Sequence, residues 1–296
     1  MRVTNSMVVR STLRDLDHSL SRLQATQGRI SSGRELTKAS DDPAKAADAM
    51  GLRNDLRRSE QRMRTLDDSL AFLRSSDAAL TSTLDVLERA KTIAVRGAST
   101  GALSDVNARQ AMATELRSIR EDLIALGNTK HGDRAIFSGN TTGPAYSSAG
   151  VYIGDTGLVN RQVAPSTAVT INVLGTDVFG AQAGPTGDLF AVIDRLATAV
   201  ENGDASAIAT EHANLDAATT RVGASAVEIG ARVVRLESLQ SRAEDDQLRL
   251  KSSLSQAEDV DLVKALVEAK SQETSYQAAL QVAGKILPMT LLDFLR

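Results

Sequence analysis

The chain has 296 residues, 42% of them hydrophobic and 24% charged, a length that suggests one to three domains around a real core. Cysteine is absent, which excludes disulfides, thiolate metal sites and cysteine nucleophiles. Tryptophan is absent too and aromatic residues make up only 3%, so thin helical packing is favoured over a thick core. The formal net charge of −3 gives no indication of a nucleic-acid-binding surface.

Membrane insertion and general secretion find no support in the sequence. No stretch approaches the roughly 18 consecutive apolar residues that a membrane helix needs. The first twenty residues contain neither the apolar block nor the cleavage site of a secretory signal. Taken alone, these features predict a soluble protein that stays in the cytoplasm.

The first 130 residues carry apolar residues at alternating steps of three and four, the spacing of amphipathic helices that pair through heptads. The first run consists of Leu13, Leu16, Leu20, Leu23, Gln27 and Ile30. The second consists of Met63, Leu66, Leu70, Leu73, Asp77, Leu80, Leu84 and Leu87. The third consists of Met112, Leu116, Ile119, Leu123 and Leu126.

Local signals place the ends of these helices. Asp42 followed by Pro43 predicts an N-cap with proline at the first helical position. No proline follows until after Gly97, which allows a helix of about 55 residues and roughly 80 Å. We expect Ser104 or Asp105 to cap the next helix.

The segment from residue 137 to 187 differs in composition. It holds nine of the 20 glycines, three of the five prolines, four of the eight aromatic residues and only three charged residues. Short β-prone runs, Val151–Ile153 and Val169–Leu174, stand between turn formers. This composition predicts a small β-rich insert.

Helical spacing resumes after the insert. A short helix is expected from about Asp188 to Asn202. A fourth heptad run consists of Ile229, Val233, Leu236, Gln240, Ala243, Gln247, Leu250 and Leu254. A fifth consists of Leu262, Leu266, Ala269, Glu273, Tyr276, Leu280, Ala283 and Leu287, and we expect Pro288 to end it.

The order of these elements predicts a mainly α fold, an antiparallel long-helix coiled-coil rod with a small β-rich inserted domain. Residues 1–40 with 255–296 would form terminal coiled-coil assembly arms. Residues 41–135 with 188–254 would form a long-helix rod domain, and residues 136–187 an outer domain.

No constellation of residues indicates catalysis, a cofactor or a metal. His18, His131 and His212 lie far apart, and none has a ligand at metal-binding spacing. The glycines of the insert match no phosphate-binding loop. The acidic pairs, such as Asp67–Asp68, are those of solvated helix faces, and no site for a cofactor or metal is predicted.

The terminal heptads favour association with other chains, because two short helices with narrow apolar stripes cannot cover both stripes by pairing with each other. The predicted assembly interface consists of Leu13, Leu16, Leu20, Leu23, Ile30, Leu262, Leu266, Tyr276, Leu280, Leu287, Leu291, Leu292, Phe294 and Leu295. Asp42 and Pro43 are expected to act only as a structural cap.

Two motifs at opposite ends of the chain resemble the bacterial flagellin family. The N-terminal one reads Ile30-Ser31-Ser32-Gly33 and, after it, Asp41-Asp42-Pro43-Ala44. The C-terminal one comprises Ser255–Asp261 and Tyr276–Leu280. The resemblance covers about 110 residues on the N-terminal side and about 70 on the C-terminal side.

Within that family, further residues resemble the members that join the hook to the filament rather than the filament subunit. They are Asp41-Asp42-Pro43, the run Ala135–Thr141, Tyr152–Asp155 and the ending Leu291–Leu295. Arg296, by contrast, resembles the end of a flagellin.

The resemblance implies a structural subunit of the bacterial flagellum, needed for assembly and motility and not an enzyme. Its implied partners are copies of itself, hook-associated protein 1, flagellin or a second junction subunit, and a flagellar export chaperone. It also implies an extracellular location reached through the flagellar type III export channel without a cleaved signal peptide, in place of the cytoplasm.

Two other functions stay open at this point. The chain could be flagellin itself, the filament subunit. It could instead be a cytoplasmic helical scaffold or signalling rod, since heptads also suit such proteins. An enzyme is disfavoured because no catalytic constellation is present.

Overall fold

The computed structural model describes residues 5–36, 38–99, 104–164, 167–181 and 188–294, without the side chains of residues 5, 6, 8 and 9 and those from 285 onward. Within these residues the chain forms seven α-helices and four short β-strands. They are α1 (Asn5–Ser32), α2 (Pro43–Gly97), α3 (Val106–Gly127), β1 (Lys130–His131), β2 (Arg134–Ala135), β3 (Asn160–Ala164), β4 (Thr167–Thr170), α4 (Gly175–Phe179), α5 (Leu189–Asn202), α6 (Ala205–Glu258) and α7 (Leu262–Phe294). The expected mainly α fold with a small β-containing insert is confirmed.

The chain divides into two compact units. The arm unit comprises Met1–Ser59 and Asp246–Arg296, and the central unit comprises Glu60–Asp245. The long helices α2 and α6 contribute to both units, while α1 and α7 belong to the arm unit alone.

Helix α2 begins where the sequence predicts. The Asp42 Oδ1 atom accepts hydrogen bonds from the backbone N–H groups of Ala44 and Lys45, both at 3.1 Å, so Asp42 is the N-cap and Pro43 the first helical residue. Asp105 caps α3 in the same way, through Asn107 at 2.9 Å. Asp188 caps α5.

In the central unit α2 and α6 run antiparallel, and polar pairs fix their register. Asp67 accepts a 2.8 Å hydrogen bond from Gln240, Arg74 lies 2.8 Å from Glu237, and Lys91 lies 3.0 Å from Asp216. The residue number of the α6 partner decreases as the residue number on α2 increases, which is the order expected of antiparallel helices. Helices α3 and α5 also pack together in this unit.

The core of the central unit is formed mainly by leucines and other aliphatic residues of α2, α3 and α6. Five of the apolar residues in the second predicted heptad run are fully or almost fully buried, namely Leu66, Leu70, Leu73, Leu80 and Leu87. On the facing helices Leu116, Ile119 and Leu123 of α3 and Leu215, Val222, Ile229 and Leu236 of α6 are also buried. The apolar spacing therefore predicted the buried residues of α2 and α3, and Ile229 and Leu236 of α6, correctly, whereas Leu215 and Val222 precede the predicted fourth run.

A row of hydroxyl side chains runs along the same buried face of α2. Ser69, Ser76 and Thr83 follow one another at seven-residue steps, and each is completely buried. Each donates to the backbone carbonyl four residues earlier, at 2.6, 3.0 and 2.7 Å respectively. Their hydrogen bonds are thus satisfied within α2, and their small volume allows neighbouring helices to approach closely.

The strands of the insert differ from those expected. Val151–Ile153 forms no strand and contributes only an isolated bridge between Tyr146 and Tyr152. The second expected strand, Val169–Leu174, overlaps β4 only at its first two residues, and its partner β3 was not predicted. The β1–β2 hairpin also lies before the expected start of the insert.

In the insert, side chains rather than neighbouring strands form many of the hydrogen bonds to backbone N–H and C=O groups. This explains why the strands were predicted at the wrong places. Asn172 is 1% exposed, and its side chain accepts from the Val159 N–H at 2.8 Å and donates to the Gly157 carbonyl at 2.9 Å. Arg232 of α6 donates to the carbonyls of Thr170 and Asn172. A pattern of β-prone residues cannot reveal such partners.

Helix α7 also corrects an expectation. Its backbone continues from Leu262 to Phe294, so Pro288 does not end the helix. Proline removes one hydrogen bond, to the carbonyl four residues earlier, and its ring crowds that carbonyl, yet the bonds on either side can maintain the helix.

A turn in the insert depends on Gly139, whose φ is +75°. Asp155 accepts hydrogen bonds there from the N–H groups of Asn140, at 2.6 Å, and Gly157, at 2.9 Å. These two bonds hold the pKa of Asp155 below its usual value. A Cβ atom at Gly139 would lie 2.0 Å from Asp155 Oδ1 and 2.4 Å from the Asp155 carbonyl oxygen.

We predict that Gly139→Ala lowers the free energy of unfolding of the central unit by about 3 kcal/mol or more, since it combines backbone strain with a clash against backbone. Gly132→Ala is the matched control, because Gly132 has a φ of +59° and open space around its missing Cβ. The control should lose only about 1–2 kcal/mol. Equal urea-unfolding midpoints for the two variants would contradict the role of the turn.

We also predict that Asp42→Ala lowers the free energy of unfolding by about 1 kcal/mol, because two N–H groups at the start of α2 lose their acceptor. Asp48→Ala, at an exposed position inside the same helix, is the control and should change stability little. Urea titration followed by circular dichroism measures both, and an unchanged Asp42→Ala protein would exclude the capping role.

Candidate assembly interface

The arm unit is built on an antiparallel pair, α1 and α7. Arg29, near the end of α1, lies 3.3 Å from Glu268, in the second turn of α7. The same guanidinium lies 3.1 Å from Glu35 and donates to the Thr26 hydroxyl, also at 3.1 Å. One arginine therefore connects the end of α1, the following loop and the start of α7.

Half of the α7 positions that are covered within the arm unit are alanines. Among residues 262–284 the buried and half-buried positions are Ala265, Glu268, Ala269, Gln272, Glu273, Tyr276, Ala279 and Ala283. These positions coincide only in part with the heptad run that the sequence indicates, and the two share Ala269, Glu273, Tyr276 and Ala283. Small side chains at a helix pair allow a short interaxial distance.

On α1 the predicted residues divide between two environments. Leu16, Leu20, Leu23 and Ile30 are half-buried and lie on the covered side of the helix, whereas Leu13 is exposed. Their covered neighbours are again small or polar, notably Thr26, which is 1% exposed.

Large apolar side chains of α7 point away from the covered row. Leu262, Val263, Leu266 and Val267 are 52%, 75%, 56% and 67% exposed, and we call these four residues the α7 ridge. Leu280 is exposed as well. Sequence reasoning identified the three leucines but missed the two valines, which follow Leu262 and Leu266 directly as repeated Leu-Val pairs.

The last predicted interface residues fall outside what the structure describes. Only the backbone is described for Leu287, Leu291, Leu292 and Phe294, which belong to α7. Leu295 lies beyond the described residues. Their role in assembly stays a prediction.

Two loops connect the helices of the arm unit and are tied together by backbone hydrogen bonds. The Glu35 N–H donates to the Glu258 carbonyl at 2.7 Å, and the Val260 N–H donates to the Gly33 carbonyl at 3.0 Å. Gly33 has a φ of +69°, a conformation that favours glycine. The Ser-Ser-Gly motif therefore supplies the turn that brings the two loops together.

A bidentate ion pair supports this crossing. The Arg53 Nε and Nη2 atoms each lie 2.7 Å from a different carboxylate oxygen of Glu258. The Glu258 side chain is only 8% exposed. The Nη2 contact is a charge-assisted hydrogen bond, and the nearby positive charge stabilises a carboxylate that burial would otherwise disfavour.

The described part of the chain offers no metal-binding cluster: no three of its His, Asp or Glu side chains converge around a common point. No helix among the described residues is long and apolar enough to span a bilayer.

Comparison with known proteins agrees with this architecture. Residues 3–142 match the family model of the bacterial flagellin N-terminal helical region. The chain is 28% identical to flagellar hook-associated protein 3 of Escherichia coli over 94% of this chain and 95% of that protein. It is 25% identical to a flagellin of Bacillus subtilis over the whole of both chains.

Solved structures show the same fold. A Vibrio parahaemolyticus protein assigned to the flagellar hook-associated proteins superposes with a TM-score of 0.68 and 20% identity over 74% of this chain and all of that one. The flagellar junction protein of Legionella pneumophila gives a TM-score of 0.58 and 14% identity over 72% of this chain and all of that one. Together with the full-length relatives, these matches show that the chain is similar to flagellar hook-associated proteins and flagellins over most of its length and has the fold of the flagellar hook-associated proteins.

We predict that Arg53→Ala destabilises the arm unit by about 1–3 kcal/mol, because it leaves the buried Glu258 carboxylate without its partner. Arg57→Ala, one helical turn further along α2 and fully on the surface, is the control. Amide hydrogen exchange should accelerate at residues 33–36 and 258–261 in Arg53→Ala only. Identical exchange in both variants would show that the ion pair does not support the crossing.

Proposed function

We propose that this chain is a structural subunit of the bacterial flagellum that joins the hook to the filament. The observation that carries the proposal is the match over nearly the full length to flagellar hook-associated protein 3, combined with an arm unit that leaves large apolar residues exposed. Function then lies in assembly and not in catalysis, as expected of a structural flagellar family.

The arm unit is the part of the chain that meets other chains. Leu13, Leu262, Leu266 and Leu280 are exposed in the single chain although each is large and apolar. Burying such side chains against neighbours contributes free energy in proportion to the apolar area removed from water. Contacts in which one patch meets a different patch generate rings or helical arrays, as an axial structure requires.

The partners proposed are further copies of the chain, hook-associated protein 1 on the hook side, and flagellin or a second junction subunit on the filament side. A flagellar export chaperone would accompany the chain before assembly. We propose that it leaves the cell through the flagellar export channel without a cleaved signal peptide and functions outside the cell on the flagellum.

The second candidate function is that of flagellin, the filament subunit. The full-length similarity to a Bacillus subtilis flagellin favours it. The two candidates differ in the number of subunits needed, because a junction is a short collar whereas a filament consists mostly of its subunit.

Deletion of the gene separates the two functions. We predict that cells without this protein keep their hooks, carry no filaments and release flagellin monomers into the medium, because export continues while the attachment surface is missing. Electron microscopy of the cells and a blot of the culture supernatant are the measurements, and the deletion complemented with the wild-type gene is the control.

Filaments of normal length on the deletion strain would contradict the junction function. Loss of filaments together with loss of the main exported protein from the medium would instead favour the filament subunit.

A further inference from the structure

Most of the aromatic residues of this chain meet at one place in the central unit. Five of the eight in the sequence lie ring against ring there, namely Phe137, Tyr146, Tyr152, Phe179 and Phe190. The Tyr146 ring is in the middle, with its centroid 5.4 Å from that of Phe179 and 4.9 Å from that of Phe190. Aromatic pairs of this kind add stability beyond the apolar area that they bury.

Tyr146 and Tyr152 belong to a short loop of the insert, residues 145–153, which we call the tyrosine lid. The two tyrosines form the isolated bridge described above. Beside this bridge the Ile153 N–H donates to the Ala145 carbonyl at 2.8 Å, so the lid is closed on itself by its own backbone. The lid can therefore move as one piece.

Side chains of α3 and of the residue after it anchor the lid to the helices. The Asn128 side chain donates to the Tyr146 carbonyl at 2.9 Å and accepts from the Tyr146 N–H at 2.8 Å. Arg120 of α3 donates to the Ala149 carbonyl. A loop that is held by side-chain contacts of this kind can open while the helices beneath it stay folded.

Two glycines leave the space that the Tyr146 side chain occupies. A Cβ atom at Gly127, the last residue of α3, would lie 2.9 Å from the Tyr146 ring. A Cβ atom at Gly175, the first residue of α4, would lie 2.6 Å from the Tyr146 hydroxyl oxygen. The side chain fits tightly as a result, and Tyr146 is only 3% exposed.

The two hydroxyl groups of the lid differ in their hydrogen bonds. The Tyr152 hydroxyl donates to the Asp155 carbonyl at 2.7 Å. The Tyr146 hydroxyl is buried and has no hydrogen-bond partner among the residues that the structure describes. Burial also raises the pKa of Tyr146, so the hydroxyl stays protonated at neutral pH. Such a group destabilises the closed lid, because water can bind it only when the lid is open.

We propose that the tyrosine lid opens by itself while the helices stay folded, and that the unpaired Tyr146 hydroxyl sets how often it opens. The ring contacts favour the closed lid, and the hydroxyl favours the open one. Opening withdraws Tyr146 from Phe179 and Phe190, which are 0% and 1% exposed when the lid is closed. The lid thus controls access to the aromatic cluster, and this device is independent of the assembly function proposed above.

Native-state amide hydrogen exchange of the full chain tests the proposal. The N–H groups of Ser147 and Ile153, both bonded within the lid, report on its opening, and those of residues 119–123 report on α3. In the wild-type protein we expect protection factors about tenfold or more lower in the lid than in α3.

Two variants that remove the same oxygen atom should change the lid in opposite directions. Tyr146→Phe should raise the protection factors of the lid about fivefold or more, because it removes a buried hydroxyl without a partner. Tyr152→Phe is the matched control and should lower them about fivefold or more, because the Asp155 carbonyl loses its donor.

Two results would overturn the proposal. One is unchanged or lower protection of the lid in Tyr146→Phe, which would mean that the hydroxyl stabilises the closed lid or has no effect on it. The other is equal protection of the lid and α3 in the wild-type protein, because the lid would then open only together with the helices. Tyr146→Phe is decisive even if Tyr152→Phe does not fold, since most substitutions in a core destabilise and general damage cannot raise protection.

Discussion

The close packing of α7 in the arm unit determines what this unit can offer to other chains. Alanines occupy four of the eight covered positions among residues 262–284 of α7, and alanine-sized side chains permit a short distance between helix axes. The other four covered positions hold Tyr276 and long polar side chains, and none of the eight holds a leucine or a valine. The leucines and valines of the α7 ridge consequently remain on the outer surface, where only another molecule can remove them from water.

The central unit uses small residues for a different purpose. Ser69, Ser76 and Thr83 lie on the buried face of α2 and satisfy their own hydrogen bonds within the helix, so they add no unpaired polar group to the core. Apolar side chains of α2, α3 and α6 fill the remaining space. The insert adds to this same core, and Arg232 of α6 holds its irregular backbone in place.

Incomplete burial in a single chain is a property that suits a subunit made for assembly. If the arm unit covered all its apolar side chains by itself, it would gain stability as a monomer and lose the free energy that drives association.

The sequence by itself determined the helices, their caps and the buried leucine face of α2, because these depend on spacing and on hydrogen bonds between near neighbours in the chain. It also predicted an assembly interface in the leucines of the arms, of which Leu13, Leu262, Leu266 and Leu280 are exposed in the single chain. Only the tertiary structure decided which face of α7 is covered, since a heptad of alanines and a heptad of leucines are equally regular and the choice depends on the helix opposite. The tertiary structure also revealed the Arg53–Glu258 pair, whose members are 205 positions apart. In the insert it showed that Asn172 and Arg232 form hydrogen bonds with backbone groups that strand propensity assigns to a sheet. Long-range partners of this kind leave no trace in local spacing, so they had to be found in the fold.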